Sequence, residues 1–516
     1  MTKFRFLTAG ESHGQGLNVI LEGIPSNLSI SEDFIEKDMS RRQKGYGSGG
    51  RMKIEKDRAE IKSGVRHGKT LGSPISLWIE NKDWKNWTIP MSVEEVDPEE
   101  NIKIQTRIVP GHADFAGSLK YNHKDSRNIL ERASARETAA RVAAAAICRK
   151  FLSELGIDIK SRVKSVGWES SEIVDIESID WTFVEKSEVR ASNELEDTKF
   201  KKVIDKVKKE RTTIGGVFQV IAKGVPLGLG SHTQWDKKLD GKIAQAMISI
   251  NAVKGVEIGN GFENTEKFGN QVQDIIEPNK DDIRNFSHIS NHSGGIEGGM
   301  SNGNSIILNV AIKPIATMTR PLPSVDLITG EIVEASYNRS DICQVSRACP
   351  VGEAMIALTI TEEILEKFPN DKRAEGLVKK LDSISLIPLV VSLMEQGQLQ
   401  EALETANNAL MSEGKRKNRG QLLNLQGIIY GKLRRTQASV RSFKEALKIT
   451  PKMPEAVFNM GTTLHQSGDL DKAIRCYKKT IRASSKYMKA YEQQGGAFQL
   501  KGEPKTAEIS FQKAYS

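Results

Sequence analysis

The stretch RASARETAARVAAAAICRKFLSEL, residues 132–155, decides how the larger part of the chain folds. Ser134 followed three residues later by Glu137 reads as a capping box, and the pattern predicts one long helix over residues 135–155. Ala140, Ala143, Ala144 and Ala146 give that helix a surface of small side chains, which implies close packing against a sheet or another helix. Residues 131–138 open it, with Arg132 and Ser134 at its N-terminus. Unpaired backbone N–H groups and the positive end of the helix dipole favour an anion there, so a phosphate-binding role is expected.

Outward from this helix, short β-branched runs lie at residues 18–21, 75–79, 217–221 and 305–312, between glycine-rich loops. Further helices are predicted over residues 239–252 and 351–366. Strands and helices interleave without a regular βαβ rhythm, which is an α+β pattern. Residues 367–380 are polar and charged and contain Pro369-Asn370. The expected division is a first domain at 1–367, a linker at 368–384 and a second domain at 385–516.

The last third repeats itself. Gly427, Gly461 and Gly495 are spaced by 34, as are Phe443, Tyr477 and Phe511, and Ser439, Ala473 and Ala507. A 34-residue period with a small residue early and an aromatic late is the tetratricopeptide pattern. Small residues let antiparallel helices approach, and the aromatic is expected to fill the gap to the next repeat. Three repeats are clear, and a fourth is partial, between Leu389 and Leu410. The fold expected is thus an α+β domain followed by an all-α solenoid.

With 516 residues the chain exceeds one ordinary core. At 38% hydrophobic and 27% charged it is globular rather than disordered. No apolar run reaches membrane-spanning length, and the first residues lack a secretory h-region. Cys148, Cys343, Cys349 and Cys476 form no CxxC pair or zinc spacing. Reduced thiols, a cytoplasmic location and no metal are expected. The net charge of +9 is unevenly placed: residues 371–516 hold 25 Lys and Arg against 14 Asp and Glu, while residues 1–370 hold 50 against 52. A basic tail of +11 beside a nearly neutral body gives little support to nucleic-acid binding.

Eight segments carry residue types suited to chemistry. GESHG at 10–14 and PGHAD at 110–114 each set a histidine beside glycine, where a ligand can approach. RRQKGYGSGGR at 41–51 is a positive, glycine-rich loop. RASARET at 132–138 is the helix start above. SINAVKGVEIG at 249–259, NHSGGIEGG at 291–299, KPIAT at 313–317 and RSD at 339–341 complete the set. The glycine run lacks the Lys-Ser/Thr ending of a P-loop, which argues against a kinase or ATPase.

Taken in this order, the eight segments resemble the chorismate synthase family over residues 1–367. The resemblance implies a layered β-α-β sandwich, a homotetramer, and a reaction dependent on reduced FMN. In that reaction 5-enolpyruvylshikimate-3-phosphate loses phosphate by 1,4-anti elimination to give chorismate, a step of aromatic amino-acid biosynthesis. By resemblance, FMN contacts fall on Arg132, Ala133, Ser134, Asn251, Ala252, Gly298, Lys313, Pro314, Ile315, Ala316, Thr317 and Arg339. The catalytic positions implied are His13, which protonates the departing phosphate, His112, which holds the reduced flavin in its working protonation state, and Asp341, which takes part in deprotonation. Arg42 matches the first of two arginines associated with NADP, whereas Ser48 stands where the family carries the second. A separate reductase, rather than NADPH bound by this chain, is therefore the expected electron source. The repeats lie outside the resemblance, and a protein or peptide partner with an acidic segment is expected for them. Two other readings stay open on sequence: a vestigial enzyme whose repeats carry the function, and a flavin-dependent lyase for another phosphorylated enol ether.

Overall fold

The computed structural model describes residues 4–47, 57–97, 104–172, 175–279, 286–336, 341–367, 387–412, 416–484 and 487–515. Ser48, Arg339 and the expected linker fall outside the described residues. The chain divides into two compact units, residues 1–377 without 154–156, and residues 378–516 with them.

The first unit is built on two antiparallel sheets. Strands β1 (Arg5–Gly10), β2 (Gly16–Glu22), β3 (Ala59–Ser63) and β4 (Ile75–Glu80) form one, in the order β1-β2-β4-β3. Strands β5 (Asp158–Val166), β6 (Glu169–Ser170), β7 (Gly216–Lys223), β8 (Val253–Ile258) and β9 (Ile306–Ile312) form the other, in the order β8-β9-β7-β5-β6. Helices fill the space between. They include α1 (Glu32–Gln43), α2 (Asp114–Tyr121), α3 (Arg127–Ala133), α4 (Thr138–Glu154), α5 (Glu194–Lys209), α6 (Leu239–Ile248) and α7 (Val345–Lys367). Helix α1 packs on β3 of the first sheet and on α7, and α7 packs on β5 and β7 of the second. The result is a layered β-α-β sandwich. A helix hydrophobic on most sides belongs in such a middle layer, and α4 buries twelve side chains from Thr138 to Leu152.

The middle layer also contains charge. Glu353 on α7 is fully buried. It accepts hydrogen bonds from Arg41 on α1 at 2.7 and 2.8 Å, from Ser161 on β5 at 2.6 Å, and from Arg149 on α4. Arg190 adds a guanidinium at 3.6 Å. A buried carboxylate is tolerable only when its lone pairs are met in this way.

Three sequence expectations change at element ends. The capping box at Ser134 and Glu137 does not form. Ser134 Oγ accepts from the Arg136 N–H and caps a single 3-10 turn, and the α-helix begins at Thr138. The Glu137 carboxylate is drawn away by the Arg141 guanidinium, 2.8 Å distant, and by the Thr8 hydroxyl at 2.9 Å. Helix α6 stops at Ile248 rather than 252, because Ala252 turns the chain into β8 with φ +66°. Helix α7 begins six residues earlier than predicted and runs through Pro350.

The described residues of the second unit are helical. Among them eight helices, α8 (Ile387–Glu395), α9 (Leu399–Ser412), α10 (Arg416–Lys432), α11 (Thr436–Ile449), α12 (Pro454–Gln466), α13 (Leu470–Ala483), α14 (Met488–Leu500) and α15 (Pro504–Tyr515), pack as successive pairs. The 34-residue spacing has a direct cause. A Cβ built on Gly427, Gly461 or Gly495 would lie 2.6–2.8 Å from the ring of Phe443, Tyr477 or Phe511 respectively. The aromatic therefore fills the groove inside its own helix pair, where it packs on the glycine, rather than the gap to the next repeat.

Among the described residues no helix is long and apolar enough to cross a membrane, and no His, Cys, Asp and Glu group is placed to hold a metal. All four cysteines are buried, and burial pushes the Cys148 and Cys349 thiols up to about 12, which makes them poor nucleophiles.

Candidate active site

The loop between β1 and β2 carries His13, and α3 carries its partner. Glu131, on the last turn of α3, accepts from the His13 backbone N–H at 2.8 Å and contacts His13 Nδ1 at 2.8 and 2.9 Å through its two oxygens. The neighbouring Ser12 N–H donates to the Glu131 carbonyl, and Ser134 Oγ donates to Ser12 Oγ at 3.1 Å. The His13 ring lies 3.9 Å from the Trp87 ring, tilted by 30°. Burial alone would raise the Glu131 carboxyl, but bonding to His13 and the Arg127 charge outweigh it, and it sits below the usual carboxylate range.

One residue further, Arg132 donates to the Thr8 and Gly10 carbonyls at 3.0 and 3.2 Å and to Thr8 Oγ1 at 2.7 Å. This pins the exposed edge of β1 to the end of α3. Beside it opens a cleft of about 420 Å³ lined by Phe6, Leu7, Thr8, Arg132, Glu137, Arg141, Ser249, Asn251 and Met355. That size is in the range of small-ligand sites. Two guanidinium groups, with the Glu137 carboxylate 2.8 Å from Arg141 and 3.8 Å from Arg132, share its wall with apolar side chains, so the lining keeps a net positive charge beside an apolar face.

Asn251 joins the cleft to the second sheet. Its Nδ2 donates to the Ala133 carbonyl at 2.9 Å, while its Oδ1 is buried without a hydrogen-bond partner. Next to it, the Ala252 carbonyl accepts from the Lys313 N–H at 2.9 Å. Lys313 Nζ donates to the Gly111 carbonyl at 2.5 Å. The run Lys313-Pro314-Ile315-Ala316-Thr317 is thereby laid along the loop bearing His112. The Ile315 carbonyl is held by Thr213 Oγ1 at 2.7 Å. His112 Nδ1 lies 3.6 Å from the fully buried Asp114 Oδ1, and neither atom has a hydrogen bond. Loose pairs of this kind tighten when an active site fills.

Contacts and chain neighbours thus link His13 through Glu131, Ala133, Asn251, Ala252 and Lys313 to Gly111, the residue before His112. Neither histidine lines the cleft itself. Asp341 reaches the cluster less directly: it pairs with Arg347, whose Nε donates to the Arg42 carbonyl at 3.4 Å. Gly298 stands apart. It turns a short hairpin, and its carbonyl accepts from Lys238 at the start of α6, whereas Asn251 follows the other end.

Arg42 is packed under the site. Its side chain is buried and bonds to Thr138 Oγ1 and the Ala135 carbonyl, both at 3.0 Å, with Asp57 at 3.5 Å. It clamps the first turn of α4. Sequence reasoning assigned no role to Glu131, Trp87, Arg141 or Thr8. The i,i+4 pairs Arg127/Glu131 and Glu137/Arg141 were visible signals, but the partner loop that gives them meaning is more than 110 residues away.

The chorismate synthase family model matches residues 4–365, and a tetratricopeptide repeat model matches residues 420–453 and 454–487. The chorismate synthase of Aquifex aeolicus (strain VF5) is 52% identical over 396 residues, covering 73% of this chain and 98% of its own length. That of Sulfurihydrogenibium sp. (strain YO3AOP1) is 51% identical over 373 residues, covering 71% of this chain and 95% of its own. A crystal structure of chorismate synthase superposes with a TM-score of 0.58 at 44% identity, covering 73% of this chain and 96% of that one. With its two sheets, its helical middle layer and its linked histidine loops, the chain belongs to the chorismate synthase family of carbon–oxygen lyases, extended by tetratricopeptide repeats.

Proposed function

We propose that the cleft beside Arg132 is where this chain binds reduced FMN and turns 5-enolpyruvylshikimate-3-phosphate into chorismate and phosphate. One observation carries the reading: the buried, unpartnered Oδ1 of Asn251, in a wall that also bears Arg132 and Arg141. An orphaned acceptor in a built pocket is costly unless a ligand supplies its donor. The imide N–H or ribityl hydroxyls of FMN are such donors, and the cations suit its phosphate. Phe6, Leu7 and Met355 suit its ring. Arg132, Asn251 and the Lys313–Thr317 run are the residues that would hold it. When bound, reduced FMN supplies electron density that supports electron deficiency on the substrate ring.

The residues of the chain do the rest. The ring C–O bond to phosphate breaks, a ring proton leaves, and the new double bond forms without net oxidation. His13 delivers a proton to the departing phosphate. His112, backed by Asp114, holds a proton beside the cofactor. Asp341, oriented by Arg347, is the expected base. Arg132 and Arg141 offset anionic charge in the cleft. Electrons for the flavin come from a separate reductase, consistent with the buried position of Arg42.

We further propose that the repeats dock a protein segment of acidic character, as the +10 charge of residues 385–516 favours. The Aquifex relative is matched over 98% of its length by 73% of this chain, and the family model ends at residue 365, ahead of the repeats. A chain ending near residue 375 is therefore expected to keep reduced-FMN affinity and kcat within about threefold of the full chain, while it loses the docking partner. An anaerobic assay with reduced FMN and the enolpyruvyl substrate checks this. Loss of flavin binding on truncation would show that the repeats are needed by the enzyme itself.

A further inference from the structure

We propose that Glu131 is the positioning residue for His13, a role that rests on the reading of His13 as the acid for the departing phosphate. It fixes the Nδ1–H form of the ring, so that Nε2 is the nitrogen that gives and takes the proton.

The geometry is unusually restrictive. An ionised carboxylate only accepts hydrogen bonds, and Glu131 meets two nitrogens of one residue, the backbone N and Nδ1 of His13, at 2.8 to 2.9 Å. Both hydrogens must come from His13, so Nδ1 carries one. The Glu131 side chain is only 5% exposed, which removes water as a competitor. Trp87 covers one face of the His13 ring and is itself anchored by its Nε1 donating to Asp83 at 2.9 Å. Arg127 lies 3.6 Å from Glu131 and 5.3 Å from the Trp87 ring centre, which ties the carboxylate and the indole together. The charged and titratable groups around His13 include Glu131 and Arg127 on α3, with Glu11 on its own loop near Gly14. Ring plane, tautomer and loop position are set by one carboxylate and one indole. This arrangement follows the general logic by which a carboxylate fixes a catalytic imidazole.

The isosteric change Glu131→Gln separates this role from simple fastening of the loop. The amide keeps one acceptor, which serves the backbone N–H, and then turns its NH2 toward Nδ1. That favours the opposite tautomer. The expected result is a kcat about 100-fold lower, with reduced-FMN affinity and KM within about threefold, since a lost proton donor costs on this order. In a double-mutant cycle, Glu131→Gln with His13→Ala is expected to be no slower than His13→Ala alone, because both act through one ring. Nitrogen-15 NMR of the histidine-labelled full chain is expected to show His13 as Nδ1–H in the wild type. That measurement decides the matter even if the Gln variant folds poorly. The proposal is overturned by an Nε2–H wild-type ring, by a Glu131→Gln variant of wild-type kcat beside an inactive His13→Ala, or by additive losses in the cycle. A fully active His13→Ala would instead overturn the reading of His13 as the acid, and the proposal with it.

Discussion

His112→Ala is expected to lower kcat at least about 100-fold, at the low end for loss of a positioned acid–base group. The argument is local. His112 sits in a loop whose fold does not depend on its ring: its backbone N–H donates to the Val109 carbonyl, and the Asp114 carboxylate is held by the Val109 N–H at 2.8 Å. Alanine keeps both bonds. What it removes is an imidazole 3.6 Å from a fully buried carboxylate oxygen that has no other hydrogen-bond partner. The loop is fixed to the proposed cofactor wall by Lys313, so the ring is presented there by design of the backbone. Anaerobic single-turnover kinetics with reduced FMN check the effect, and the circular dichroism and flavin affinity of the variant should match wild type. Turnover within threefold of wild type would remove His112 from the chemistry.

Glu353→Ala is expected to have the largest effect on stability, about 3–5 kcal/mol, because it removes the fully buried carboxylate on which three guanidiniums converge and leaves them to the more exposed Glu185 and Asp38. Arg41, Arg149 and Arg190 converge on this one carboxylate from α1, α4 and the segment after α4's strand partner β5. Burial alone would raise its pKa, but the arginines hold it far below the usual carboxylate range. Glu185, bonded to Arg41 and Arg190, is likewise brought down to about 2 despite partial burial. A carboxyl depressed in the folded state contributes stability above its unfolded value, about 4.3, and loses it as pH falls toward the folded value. Wild-type stability should therefore decline as pH falls below about 4.5, and Glu353→Gln should flatten that decline. Thermal unfolding of the first unit across pH reads both. A melting temperature for Glu353→Ala within a degree of wild type would contradict the network's importance.

The consequence for activity follows from the same contacts. Arg41 is held by Glu353, and its neighbour Arg42 clamps the Ala135 carbonyl and Thr138. The start of α4, beside Ser134 and Arg132, is thus braced from the middle of the sandwich.

Much of this was legible in the sequence because its signals are short-range. The alanine run of α4, the β-branched strands and the 34-residue glycine and aromatic ladder each encode a local packing problem with one solution. Element ends were less legible. Glu137 had the right spacing for a cap, yet Arg141 one turn on and Thr8 across the fold compete for the same carboxylate. Nothing in residues 134–138 alone decides that contest. Helix α6 ended early because Ala252 adopts a left-handed conformation that propensity does not foresee in alanine. The glycine-flanked histidines were legible as candidates, since the missing side chains beside them are written locally. Their partners were not. Glu131 reads as an ordinary helix-surface acid until His13, 118 residues away, is folded against it.

The central claim is that the Arg132 and Asn251 wall is the flavin site, and titration of reduced FMN into the full-length wild type and Asn251→Ala under anaerobic conditions tests it most directly. The account predicts a Kd for the variant at least about tenfold weaker, the loss of one buried hydrogen bond with its partner left unmet. Equal affinities for the two proteins would contradict it.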